Sequence, residues 1–196
     1  MGNRSSVSRG RQALKKRGTL RIGVITDTHG LYDPVIERHF ADVEEIFHAG
    51  DIGGDHVIRR LKRLAPVTAV SGNVDNYEAS GFPRRLLLRR GGLRIALCHV
   101  LYDRGKMTAE AAAWLERNQP DICIFGHSHC PALDRYGRTM LFNPGSAGPR
   151  RFSLPRGIGI LVLQAGKPTV KLIRLGDRVW APAPSATTVR SKGASS

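Results

Sequence analysis

Short apolar runs, spaced by amphipathic or Gly- and Pro-marked stretches, recur along most of the chain. Leu20–Thr26, Glu45–Ala49 and Pro66–Val70 read as buried strands. Between them, Pro34–Phe40 predicts a short helix. Asp55–Leu64 sets Val57, Ile58, Leu61 and Leu64 against Arg59, Arg60, Lys62 and Arg63, the pattern of an amphipathic surface helix. Alternating strands and helices predict an α/β layer architecture with the strand-end loops gathered on one side. Further on, Leu86-Leu87-Leu88, flanked by Arg84, Arg85, Arg89 and Arg90, predicts a strand that turns at Gly91-Gly92 into Leu93–Leu97. Thr108 can cap a helix over Ala109–Asn118, which Pro120 stops. Asp121–Ile124 is another buried strand. Ala132–Tyr136 and Thr139–Phe142 form a hairpin around Gly137, and Gly157–Gln164 and Thr169–Leu175 close the chain.

What makes this pattern chemical is how the strands end. The first apolar run delivers Asp27-Thr28-His29, the second Gly50-Asp51, the third Ser71-Gly72-Asn73-Val74-Asp75. Leu93–Leu97 leads into Cys98-His99, and Asp121–Ile124 into Phe125-Gly126-His127-Ser128-His129. Taken singly, each has an ordinary explanation: a cap, an Asn-containing turn, a loop histidine. Together, Asp27, His29, Asp51, Asn73, His99, His127 and His129 all follow apolar runs, and a shared sheet edge would bring them to one point. Such a set exceeds the needs of one tetrahedral ion and suits two neighbouring cations, with Asp51 as the natural bridge. Asp75 is placed to orient Asn73 or another group. Mixed nitrogen and oxygen donors without thiolate favour manganese, with nickel, iron or zinc as alternatives. His48 lies inside its strand and reads as a core or supporting histidine.

Charge refines the picture only modestly. The formal net charge is +15, but residues 1–18 hold six Arg or Lys and no acid, and residues 181–196 are similarly acid-free. Both ends are expected to be disordered, leaving one domain over residues 19–180. The excess of positive charge favours anionic substrates without requiring nucleic acid. Cys98, Cys123 and Cys130 form no Cys-x-x-Cys pair, which fits a reducing, cytoplasmic compartment. No apolar run reaches 18 residues, so no membrane span is expected. Met1–Ser6 matches a short acylation template that recurs by chance.

In their order, Asp27-x-His29, Gly50-Asp51, Gly72-Asn73-x-Asp75, His99 and Gly126-His127-x-His129 resemble the calcineurin-like metallophosphoesterases. Asn143-Pro144-Gly145-Ser146, the closing strands and the short length resemble the small, single-domain phosphodiesterase branch, over residues 20–175. The resemblance implies a four-layer αββα sandwich with two central mixed β-sheets in a single domain. It implies one ion held by Asp27, His29, Asp51 and His129 and a second by Asp51, Asn73, His99 and His127. Asp51, Asn73 and His99 would then serve catalysis most directly, with a hydroxide between the ions attacking a small phosphate-ester substrate. A nucleotide-type substrate and assembly into a homo-oligomer are compatible with it.

Two positions depart from the family pattern. Larger members carry histidine directly after the asparagine, where it is thought to assist the leaving group; here Val74 stands, which can donate no proton. Val100 follows His99 where glycine is common. Two other readings compete: a retromer-subunit-like protein-binding scaffold of the same fold, and a nucleic-acid-binding or nuclease role suggested by the positive charge. No zinc finger or RNA-recognition signature supports simple nucleic-acid binding. Arg150 and Arg151 are expected at a solvated surface, with phosphate steering as the alternative.

Overall fold

A computed structural model describes residues 18–151 and 153–176. The basic extension up to Arg17, its acylation template and the 181–196 tail lie outside the described residues.

The elements follow in the order β1 (Thr19–Ile25), α1 (Val35–His39), β2 (Glu45–His48), α2 (Asp55–Leu61), β3 (Val67–Ala69), α3 (Tyr77–Ser80), β4 (Arg85–Arg90), β5 (Leu93–Cys98), β6 (Tyr102–Asp103), β7 (Lys106–Met107), α4 (Ala109–Asn118), β8 (Ile122–Ile124), β9 (Ala132–Tyr136), β10 (Thr139–Asn143), β11 (Gly157–Gln164) and β12 (Lys167–Arg174). Two five-stranded sheets result, ordered β12-β11-β1-β2-β3 and β4-β5-β8-β10-β9. In the first, β1, β2 and β3 run parallel while β11 and β12 are antiparallel additions. In the second, β5, β8 and β10 run parallel, with β4 and β9 antiparallel at the edges. Both sheets are therefore mixed.

Strand periodicity explains the layering, since successive side chains point to opposite faces. Ile22 and Val24 of β1, Ile95 and Leu97 of β5, Ile122 and Ile124 of β8, and Leu161 and Leu163 of β11 are fully or almost fully buried in one cluster between the sheets. The opposite face of the first sheet, with Ile158 and Ile160, packs against Ile36 and Phe40 at α1 and Val57, Ile58 and Leu61 of α2. Across the second sheet, Ala96, Cys98 and Cys123 meet Ala111 and Leu115 of α4. This is the expected helix–sheet–sheet–helix sandwich. Gly23 fits the layer because a side chain there would meet the Phe40 ring at 2.9 Å.

The sequence expectations hold with local corrections. The first two helices and the third strand are shorter than the sequence pattern predicts. Two elements were not expected: the one-turn α3, whose cap Asn76 accepts from the Glu78 and Ala79 N–H groups, and the β6–β7 hairpin. The last strand begins at Lys167, because Ala165 and Gly166 (φ 48° and 71°) make a two-residue turn by themselves. Pro168 is tolerated because β12 is an edge strand. Among the described residues no helix is long and apolar enough to cross a membrane.

One buried ion pair pins the loop after β10. Arg156, 1% exposed, pairs with Asp33 at 2.9 Å and donates to the carbonyls of Ala147, Gly148 and Gly176. Its charge is thus compensated and its donors largely used, the condition under which a buried guanidinium is tolerated.

Candidate metal centre

The parallel strands of both sheets end at one edge, and the loops beyond them are stitched together by backbone hydrogen bonds. Asp27, His29 and Gly30 N–H groups donate to the Gly50, Asp51 and Ile52 carbonyls at 3.0, 2.9 and 2.8 Å, prolonging the β1–β2 ladder into the loops. Buried His48 strengthens this joint. Its Nδ1 accepts from Gly50 N–H, which puts the proton on Nε2, 3.0 Å from the Thr28 hydroxyl. That hydroxyl in turn donates to the Ile52 carbonyl at 2.9 Å. Burial pushes His48 down to about 3, so it remains neutral and acts as a fixed strut, in line with its expected core role.

Asp75 holds the third loop. Its carboxylate accepts the N–H groups of Ile52, Gly53 and Gly72 at 2.8 to 3.1 Å. It therefore orients backbone around Asp51 and Asn73. From the second sheet, Gly126 N–H donates to the His99 carbonyl, and Asn143 Nδ2 donates to the Gly126 carbonyl and the Ser128 hydroxyl. The Ser146 hydroxyl donates to the Asp27 carbonyl at 2.9 Å. Asn143 thus ties together the strand ends of the second sheet, and Ser146 joins them to those of the first, roles that the Asn-Pro-Gly-Ser turn alone did not reveal.

The side chains converge. His29 Nε2 and His129 Nε2 lie 3.2 Å apart, and His129 Nε2 is 3.4 Å from Asp27 Oδ1. Asp51 Oδ2 lies 3.3 Å from His99 Nε2 and 3.6 Å from His29 Nε2. Ligand atoms of Asp27, His29 and His129, and separately of Asp27, Asp51 and His99, fall within 4.8 Å of one another. Asp27 belongs to both groups, while Asp51 stands between His29 and His99. His127 packs its ring 5.4 Å from that of His99 and gives its backbone N–H to Asp27 Oδ1. Asn73 is exposed at the rim and lines a cleft together with His99.

Three polar atoms in this cluster are buried without a hydrogen-bond partner: Asp27 Oδ2, His99 Nε2 and His129 Nδ1. Such groups are costly unless something satisfies them. His99 Nδ1 is committed to the Ala49 carbonyl at 2.8 Å, leaving Nε2 turned toward the carboxylates. Nitrogens and oxygens facing one another at these distances, with His99 Nε2 among them unpaired, fit divalent cations well.

The electrostatics agree. Burial raises the Asp27 carboxyl to about 6. Burial alone would raise Asp51 as well, but His99, the Val74 N–H and His29 outweigh it and hold its carboxyl well below the usual range. Burial lowers His29 and His127, and takes His129 to about 4 with help from nearby Arg151. His99 goes the other way: Asp51 and Asp27 overcome its burial and raise it.

The backbone adds an independent sign. Eight described non-glycine residues have positive φ, and five of them are Asp27, His29, Asp51, His127 and His129. The left-handed region costs about 1 kcal/mol or more for an L-residue and gathers at functional sites. Packing around Gly50, Gly72, Gly126 and Gly148 is equally demanding. A side chain at Gly126 would strike Thr26 Oγ1 and Asp27 Oδ2, and one at Gly72 would strike Asp51 itself.

The family model described as the calcineurin-like phosphoesterase superfamily domain matches residues 20–166. The chain belongs to the calcineurin-like phosphoesterase superfamily. It is 37% identical over 137 residues to a probable metallophosphoesterase of Methanocaldococcus jannaschii, covering 66% of this chain and 69% of the relative. A probable metallophosphoesterase of Methanothermobacter thermautotrophicus is 34% identical over 165 residues, covering 81% and 94%. Among solved structures, a predicted phosphoesterase of Streptococcus pneumoniae superposes with a TM-score of 0.65 at 25% identity, covering 80% of this chain and 90% of the other. Vacuolar Protein Sorting 29 of Cryptosporidium parvum gives 0.65 at 21% identity, covering 80% and 98%. An archaeal phosphodiesterase gives 0.63 at 21%, covering 80% and 100%.

Membership in the calcineurin-like superfamily makes this a metal-dependent phosphoesterase, a hydrolase whose metal-binding residue groups are present in the fold. Within it, sequence reasoning missed the loop-holding role of Asn143, the joining role of Ser146 and the position of Arg151. Exposed as expected, Arg151 nonetheless brings Nη2 to 3.4 Å from His29 Nε2.

Proposed function

We propose that this phosphoesterase hydrolyses phosphodiesters at a two-cation centre held by Asp27, His29, Asp51, Asn73, His99, His127 and His129. The observation that carries the reading is the convergence of His29 Nε2, His129 Nε2, His99 Nε2, Asp27 Oδ1 and Asp51 Oδ2 across 3.2 to 3.6 Å, with His99 Nε2 buried and without a hydrogen-bond partner. When bound, two divalent cations neutralise phosphoryl oxygens and bring water to a pKa of about 7. The chain does the rest. His99 and Asp51 fix the carboxylate geometry, Asp75 and Ser146 hold the loops, and Arg151 adds positive charge where anionic oxygens would lie. The oxygen of the attacking water bonds to phosphorus as one ester P–O bond breaks, and the departing alkoxide must take its proton from solvent because Val74 cannot give one. Manganese suits the nitrogen and oxygen donors, with nickel, iron or zinc as substitutes. The fold shared with an archaeal phosphodiesterase makes diesters the first substrates to assay.

The test is hydrolysis of bis(p-nitrophenyl) phosphate and p-nitrophenyl phosphate by purified protein stripped of metal and reloaded with each cation. Metal-dependent turnover of the diester in preference to the monoester is expected. No turnover with any cation would overturn the reading. It would favour the scaffold alternative instead, for which the Vacuolar Protein Sorting 29 neighbours, one solved with a cyclic peptide, are the motive.

A further inference from the structure

Beside Asn73 and His99 opens a cleft of about 500 Å³, walled by Ser71, Tyr77, Arg84, Arg85, Val100 and Glu110 among others. Its size is that of a pocket for a small organic ligand. Its charges are unequally committed. Asp75 is saturated by three backbone N–H groups, and Arg85 is tied to Glu110 at 3.0 Å, with its guanidinium 5.5 Å from the Trp114 ring. Arg84 has no carboxylate partner among the described residues. Its guanidinium sits 5.9 Å from the centre of the Tyr77 ring. Tyr77 is 49% exposed, an unusual state for a large aromatic side chain, and the Asn76 cap fixes its backbone at the start of α3. Ser71 is only 4% exposed, and its hydroxyl has no partner. The cleft therefore offers a flat ring, an unneutralised cation and a buried unpaired hydroxyl, all next to Asn73 and His99, two of the proposed cation ligands.

We propose that this cleft receives a nucleotide portion of the substrate, with the base on Tyr77, a terminal phosphate on Arg84 and a sugar or phosphate oxygen on Ser71. The preferred substrate is then a short linear dinucleotide bearing a 5′-phosphate, cleaved at its internal diester. This inference rests on the phosphodiesterase reading for its chemistry but not for its binding. Cleavage adds water across the internal phosphodiester: hydroxide oxygen joins phosphorus, the P–O bond to one nucleoside breaks, and that nucleoside leaves as an alcohol protonated by solvent.

Two measurements test it. Binding of AMP to the metal-free protein, followed by titration calorimetry, should weaken about tenfold in Tyr77→Ala and in Arg84→Glu, and be retained in Tyr77→Phe, since stacking on an aromatic side chain is worth about tenfold or more per base. On metal-loaded protein, the ratio of kcat/KM for 5′-phosphorylated diadenylate to kcat/KM for bis(p-nitrophenyl) phosphate should fall about tenfold in both disruptive variants. Removing the 5′-phosphate from the dinucleotide should erase the difference between wild type and Arg84→Glu. AMP binding that is absent, or equal in wild type and all variants, overturns the proposal, as does an unchanged ratio. Failure of every diester to react, with AMP binding intact and sensitive to Tyr77 and Arg84, would sink the phosphodiesterase reading alone.

Discussion

At the scale of single residues, the site is a contest between burial and charge. Asp27 is protonated in the metal-free protein below about pH 6, so a cation arriving there must displace a proton. His99, raised by its carboxylate neighbours, imposes the same requirement. His29, His127 and His129 are lowered by burial and are already neutral at pH 7. The sign follows: affinity for Mn²⁺ is greatest above neutrality and falls as pH drops through about 6, by about tenfold per pH unit for each proton displaced. Equilibrium dialysis between pH 5 and 8 measures this; an affinity that is flat over the range would contradict the assignment of Asp27. Val74 sets a second expectation. It is 52% exposed, and its backbone N–H is occupied by Asp51 Oδ1 at 3.0 Å, so only its side chain is free to change. Val74→His should raise turnover of diesters with strongly basic leaving groups by about tenfold or more while altering aryl diesters less, as positioned acids commonly contribute at least that much. A leaving-group dependence identical to that of wild type would refute the idea that leaving-group assistance is missing here.

At the scale of elements, the strand-end loops are constrained by what lies behind them. Gly126 sits where a methyl group would meet Thr26 and Asp27, although its own backbone does not require positive φ. Gly126→Ala should lower stability by about 1–3 kcal/mol through overpacking and should also reduce metal binding, because the atoms displaced include an Asp27 carboxylate oxygen as well as the Thr26 hydroxyl. Urea unfolding and metal analysis of the same preparation check both. Loss of stability with full metal content would separate Gly126 from the site. Much of this organisation was legible in the sequence. β2, β8 and the C-terminal halves of β1 and β5 are buried on both faces and mostly apolar, and each leads into a ligand-type residue. What could not be read were features fixed by other parts of the chain. Asp75 reads locally as an orienting group for Asn73 or another group, and only the structure shows that it serves three backbone N–H groups on two loops. β6 and β7 span two residues each and leave no periodic signal; the structure joins them through Arg104 and Gly105, both with positive φ. α3 is a single turn, too short for helical spacing, although Asn76 marks its start.

At the scale of the whole molecule, the two sheets meet along an apolar interface, but their chemical edge is joined by polar links. Arg156 and Asp33 are a fully buried example. Their pairing fixes the Ala147–Gly148 segment, from which Ser146 reaches Asp27. Arg156 escaped sequence reading because nothing in its neighbourhood separates it from surface arginines such as Arg150 and Arg151. Asp33→Asn should destabilise the fold by about 3–5 kcal/mol, leaving a buried guanidinium without its counter-charge. For a chain of this size that is a fall in Tm of roughly 6–20 °C. A Tm within a degree or two of wild type would show that the pair is dispensable.

The central claim is that one edge of this sandwich binds two cations. Anomalous diffraction from crystals grown with Mn²⁺ tests it most directly. Two peaks per chain are predicted, one within about 2.0–2.3 Å of ligand atoms from Asp27, His29 and His129, the other similarly close to Asp51 and His99. A single peak, or manganese bound away from these residues, would contradict the account.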